Sequence, residues 1–148
     1  MITKDEILMG RDKQYPDEYT EEISNNIDSL LEIINQVRIA YNKPMIVASG
    51  WRPAEINEST SNAAKNSNHI KGLAVDIKDT DGKLWKWVIL NLDLMKRLGL
   101  YFEDKRWTPT WVHFQIIPPK SSKRIYIPST APAKADDIWD GKYDSKYN

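Results

Sequence analysis

The chain has 148 residues, a length that fits one domain and buries enough surface to fold without a staple. It has no cysteine, which excludes disulfides, thiolate zinc sites, iron–sulfur clusters and thiol catalysis. Its 21 basic and 21 acidic residues cancel, which argues against nucleic-acid binding through a general basic field, and no apolar run approaches the roughly 20 residues of a membrane span.

The first residues lack the basic and apolar regions of a secretory signal, so no signal peptide is expected. Thr3-Lys-Asp-Glu6 fits a capping box and predicts a short helix to about Met9. Residues 11–19 are polar with one proline and read as a loop. Thr20 caps a long helix in which Ile23, Ile27, Leu30, Leu31, Ile34, Val37 and Tyr41 recur at helical spacing. Asn42, Lys43 and Pro44 end it, and residues 45–48 read as a buried strand.

Residues 49–71 are rich in Asn, Ser, Thr and Ala without periodicity, the composition of a functional or disordered loop. Residues 73–77 suit a strand broken only by Asp76. Asp79-Thr-Asp-Gly82 is turn and cap chemistry, and a second helix follows to about Gly99, with Trp87 toward the core. Residues 100–103 and 111–117 read as two neighbouring strands, and residues 124–127 as a short edge strand. From Ser129 onward the chain reads as a tail, giving one domain over 1–128 and a tail over 129–148. Trp139, Tyr143 and Tyr147, four apart, would suit docking on a virion or on a second copy, although the composition favours a disordered tail. Helices and strands do not alternate as βαβ units, so the fold class is α+β.

Only two histidines exist, His69 and His113, and both fall in or beside strands. A carboxylate inside Leu73-Ala-Val-Asp76-Ile is costly unless paired or metal-bound. Two imidazoles and a carboxylate make a three-ligand set that leaves one zinc position open. Taken singly, a buried Asp is more often a cap or ion-pair partner, and a His more often a packed residue. Their joint placement is what points to a metal. Arg52, in a turn after a strand, suits a carboxylate or a developing oxyanion, although a surface Arg stacked on Trp51 is the plainer reading. Trp107 and Trp111 flank the loop before His113 and could wall a peptide or sugar.

Ser49-Gly-Trp-Arg52-Pro, Ser67-x-His69-x-x-Gly72-x-Ala74-x-Asp76 and Trp111-x-His113 together resemble the zinc D-alanyl-D-alanine carboxypeptidase and dipeptidase family. That family includes phage endolysin peptidases and shares its fold with the hedgehog signalling domain. The resemblance covers about residues 44–117 and implies a small antiparallel sheet carrying the metal site, packed against helices. It implies one zinc ion per chain on His69, Asp76 and His113. It gives Arg52 a catalytic and substrate-holding role and places Ser67 and Trp111 against substrate. The implied partner is a peptidoglycan stem peptide, with neither nucleic acid nor membrane. The implied setting is a phage-encoded enzyme of the host cytoplasm or virion that acts on the bacterial wall.

The sequence departs from the peptidase pattern at the general base. The acid usual three residues before the second His is here Thr110. The hedgehog branch places its Glu at the end of the preceding strand, which Glu103 resembles, with Asp104 as fallback. Three readings follow. The first is a zinc peptidase with Glu103 as base. The second, supported by Thr110, is a non-catalytic zinc module for wall recognition or virion structure. The third is a non-haem iron oxygenase, disfavoured by the long His–Asp spacing and the prominent helices.

Overall fold

The computed structural model describes residues 1–61 and 63–128. The tail read over 129–148, with its three aromatics, lies outside the described residues. The chain opens with α1 (Lys4–Leu8) and α2 (Arg11–Gln14), then the long α3 (Glu21–Tyr41). The elements β1 (Val47–Ser49), α4 (Ala54–Ser59), β2 (Ala74–Lys78), α5 (Lys83–Leu90) and α6 (Leu92–Arg97) follow. Last come β3 (Tyr101–Glu103), a 3-10 turn (Lys105–Trp107), β4 (Trp111–Gln115) and β5 (Ile125–Tyr126). The fold is α+β, as read.

Local chemistry explains most of these bounds. Thr3 and Glu6 form the full capping box of α1, and the Thr20 hydroxyl accepts from the Ile23 N–H at the start of α3. Asp79 caps α5 with both carboxylate oxygens, accepting from the N–H groups of Leu84 and Trp85. Lys105 closes the same carboxylate at 2.9 Å.

Five details differ from the expectation. The strand read as buried over 45–48 is β1, shifted to Val47–Ser49 at the sheet edge, with none of its residues fully buried. The loop over 11–19 contains α2, and the irregular stretch after Ser49 contains α4, whose first N–H is satisfied by Glu18 across 36 positions. The second helix is two helices, interrupted at Asn91. Trp85, not Trp87, is the deeply buried tryptophan, because the inner face of α5 is Leu84, Trp85, Val88 and Ile89. Trp87 instead packs on Tyr41, with ring centroids 5.1 Å apart.

The described strands form one sheet in the order β1-β2-β4-β3-β5, antiparallel except for the β3–β5 pair. Side chains alternate across it. Val75, Ile77, Phe102, Val112 and Phe114 face the core and cluster with Ile27, Leu30, Ile34 and Val37 of α3. Asp76, Glu103, Trp111, His113 and Gln115 therefore share the opposite face. Register completes the placement: Asp76 pairs with His113, and Phe102 with Phe114, which sets Glu103 opposite His113.

The Gly50–Arg52 turn is anchored from the N-terminal helices. The Trp51 N–H donates to the Ile7 carbonyl, and Arg11 donates to the Trp51 carbonyl at 2.7 Å. A side chain at Gly50 would collide with the Ile7 main chain, so this close approach requires glycine. Among the described residues no helix is long and apolar enough to cross a membrane.

Candidate metal centre

Two strands and one loop supply the candidate ligands. His69 comes from the loop before β2, Asp76 from the middle of β2 and His113 from the middle of β4. One atom of each lies within 4.8 Å of the others. Asp76 spans the pair: Oδ2 is 3.2 Å from His69 Nε2, and Oδ1 is 2.8 Å from His113 Nδ1. Tetrahedral zinc with bonds of about 2 Å sets its ligand atoms roughly 3.3 Å apart. The outward nitrogens are engaged elsewhere. His69 Nδ1 lies 2.9 Å from the Gly50 carbonyl, and His113 Nε2 lies 2.8 Å from Gln115 Oε1. A carbonyl only accepts, so His69 keeps its proton on Nδ1 and turns Nε2 inward. A borderline-soft cation with nitrogen and carboxylate ligands fits this donor set.

Charge reinforces the arrangement. Burial opposes ionisation of Asp76, but His69 and His113 outweigh it and hold the carboxyl well below the usual range. Burial likewise opposes charge on His113, yet Glu103 and Asp76 prevail and lift it to about 9. His113 is therefore an imidazolium that donates from both nitrogens, and a metal held here would have to displace the proton on Nδ1. The sign follows from the raised value: below about 9 a proton must leave before the ligand forms. Zinc affinity is expected to rise about tenfold per pH unit from about pH 7 and to level off above about 9, as metal-chelator competition would read. A flat profile over that range would contradict this protonation state.

A cleft of about 610 Å³ lies over the centre, and Arg52, Ser67, Trp107, Trp111 and Glu103 line it with the three ligands. Arg52 is 8% exposed, and its Nε has no hydrogen-bond partner. One Nη donates to the Ser67 hydroxyl at 3.4 Å, and Ser67 also accepts from the His69 N–H. Burial pushes the Arg52 guanidinium below its ordinary value, Asp76 and Glu103 oppose that, and Arg11 adds repulsion. Among the described lining residues Arg52 is the one arginine or lysine. It does not stack in the open on Trp51, which is fully buried and packs on Tyr19.

Glu103 Oε1 lies 3.9 Å from His113 Nε2, and among the described residues no hydrogen bond holds its carboxylate. Asp104 has a different place. It is fully buried, caps the 3-10 turn and is gripped by Arg106 through two nitrogens at 3.0 and 2.8 Å, so the fallback base faces away from the cleft. Thr110 is exposed, and its carbonyl accepts from the Asp79 N–H. Gln115 and Tyr126 were not singled out from the sequence, although period-two alternation puts Gln115 beside His113. The Tyr126 hydroxyl donates to Gln115 Oε1 at 2.6 Å, and burial with Glu103 and Asp76 nearby drives its pKa far up.

A family model described as Peptidase M15 matches residues 4–107, more than two thirds of the chain. The matched stretch contains Arg52, His69, Asp76 and Glu103 and stops short of β4 and His113. No curated protein and no solved structure matches the chain.

Proposed function

The chain belongs to the peptidase M15 family, and from that membership we propose that it is a zinc peptidase acting on peptidoglycan stem peptides. The observation that carries this reading is the convergence of His69, Asp76 and His113 beneath a cleft that also holds Glu103 and Arg52. His69 Nε2, an Asp76 oxygen and His113 Nδ1 would hold the metal. Bound zinc makes a water acidic near neutral pH and polarises a carbonyl.

The remaining chemistry belongs to the chain. Glu103 accepts the proton of the attacking water and returns it to the leaving amine. Arg52 holds either the terminal carboxylate of a short peptide or the oxyanion that develops at the scissile carbonyl. Burial strengthens that contact, because its charge faces the cleft with little water around it. Ser67 steadies the guanidinium. Trp107 and Trp111 line the cleft with Ala48, Ala63 and Ala64, whose small side chains leave room for residues as short as alanine. The phage setting is part of the same proposal and rests on the resemblance of the motifs.

Digestion of purified peptidoglycan, followed by mass spectrometry of the fragments, tests the reading. New amine ends in the stem peptides are expected, abolished by a chelator and restored by zinc. Release of free D-alanine would identify a carboxypeptidase, and internal scission an endopeptidase. An intact wall in the presence of stoichiometric zinc would favour the non-catalytic module instead.

A further inference from the structure

The chemistry above leaves Gln115 unused. It lies two residues beyond His113 on the same face of β4 and is 1% exposed. Its neighbours distinguish the two ends of its amide. One end sits 2.8 Å from the main-chain carbonyl of Ile117, which can only accept, so that end is Nε2. The other is then Oε1, 2.8 Å from His113 Nε2 and 2.6 Å from the Tyr126 hydroxyl. An amide oxygen carries no proton, so both neighbours donate to it. The direction of every bond in the chain is thereby set from the Ile117 carbonyl to the metal centre.

We propose that Gln115, held by Ile117 and Tyr126, is a positioning residue that keeps a proton on His113 Nε2 and so presents Nδ1 as the metal ligand. This rests on the zinc reading of His69, Asp76 and His113. The role draws β5 into the centre, since Tyr126 lies on that strand and pairs with Glu103 of β3. His69 is oriented in the same way by the Gly50 main chain, which no side-chain replacement removes. Gln115 is thus the side chain through which ligand orientation can be altered. Without it nothing directs which ring nitrogen gives up its proton as the metal binds, and the ring can turn, so Nδ1 is no longer fixed as the ligand atom.

The test is zinc affinity, measured by chelator competition on the full chain. Gln115→Met keeps the length and loses the amide acceptor; its affinity is expected to fall about 10- to 100-fold. Gln115→Glu keeps an acceptor and should bind zinc at least as tightly as wild type. Tyr126→Phe should show a smaller loss in the same direction. Nitrogen-15 spectra of the zinc-loaded wild type should place the His113 proton on Nε2. Unchanged affinity in Gln115→Met, equal weakening in Gln115→Glu, or zinc on Nε2 would each overturn the inference. If Gln115→Met fails to fold, unchanged affinity in Tyr126→Phe overturns it. A wild type that binds no zinc removes the parent reading and this inference with it, whereas wild-type binding with an indifferent Gln115→Met removes the inference alone.

Discussion

Glu103→Gln should lose about 10²- to 10⁴-fold in turnover while keeping its zinc, the range ascribed to a general acid–base group. The substitution preserves shape and removes only the proton acceptor. Glu103 is fitted for the task by register, since the β3–β4 pairing sets it opposite His113 on the cleft face. Its carboxylate is free to turn toward a water, with His113 Nε2 3.9 Å away. Asp104→Asn serves as the control. It disturbs a buried pair with Arg106 that faces away from the cleft, so stability should fall while the turnover of the folded fraction holds. Unchanged turnover in Glu103→Gln, read in a steady-state assay on stem-peptide fragments, would contradict the assigned base.

Arg52→Ala should cost about 10²- to 10³-fold in kcat/KM, as removal of an oxyanion donor does. A buried guanidinium with an unpartnered Nε is expensive to maintain without a ligand, and here it faces the cleft beside the ligand set. The split between constants identifies its partner. A rise in KM with kcat held would mean that it grips the substrate carboxylate in ground and transition states alike. An equal fall in kcat and kcat/KM would mean that it meets the oxyanion alone. Zinc content should not change. Values of kcat/KM within about threefold of wild type would contradict both roles, since even one well-aligned charged contact is worth more than that.

Much of the candidate site was legible because strands impose a period of two. Asp76 stood out as a charge in an apolar run, and Arg52, His69 and His113 lay in spaced motifs. The proximity of Glu103 to His113 followed from antiparallel adjacency, but its face depended on a register that a seven-residue loop leaves open. Elements held by distant partners were not legible. The helix α4 begins after Pro53 with no side-chain cap of its own, and its first N–H depends on Glu18. Trp87 is read toward the core in place of Trp85 because a helix face two residues wide, Leu84 with Trp85 and Val88 with Ile89, defeats a reading of single apolar positions. The tautomers of His69 and His113 were beyond reach, because a main-chain carbonyl and the amide of Gln115 decide them.

The central claim is that one zinc ion sits on His69, Asp76 and His113, and the metal content of purified protein tests it most directly. After zinc loading and exhaustive dialysis, wild type should retain one zinc per chain, and His113→Ala, with fold confirmed by circular dichroism, should retain none. Removing one of three protein ligands leaves two, too few to hold the ion against dialysis. Full retention of zinc by His113→Ala, or none in the wild type, would contradict the account.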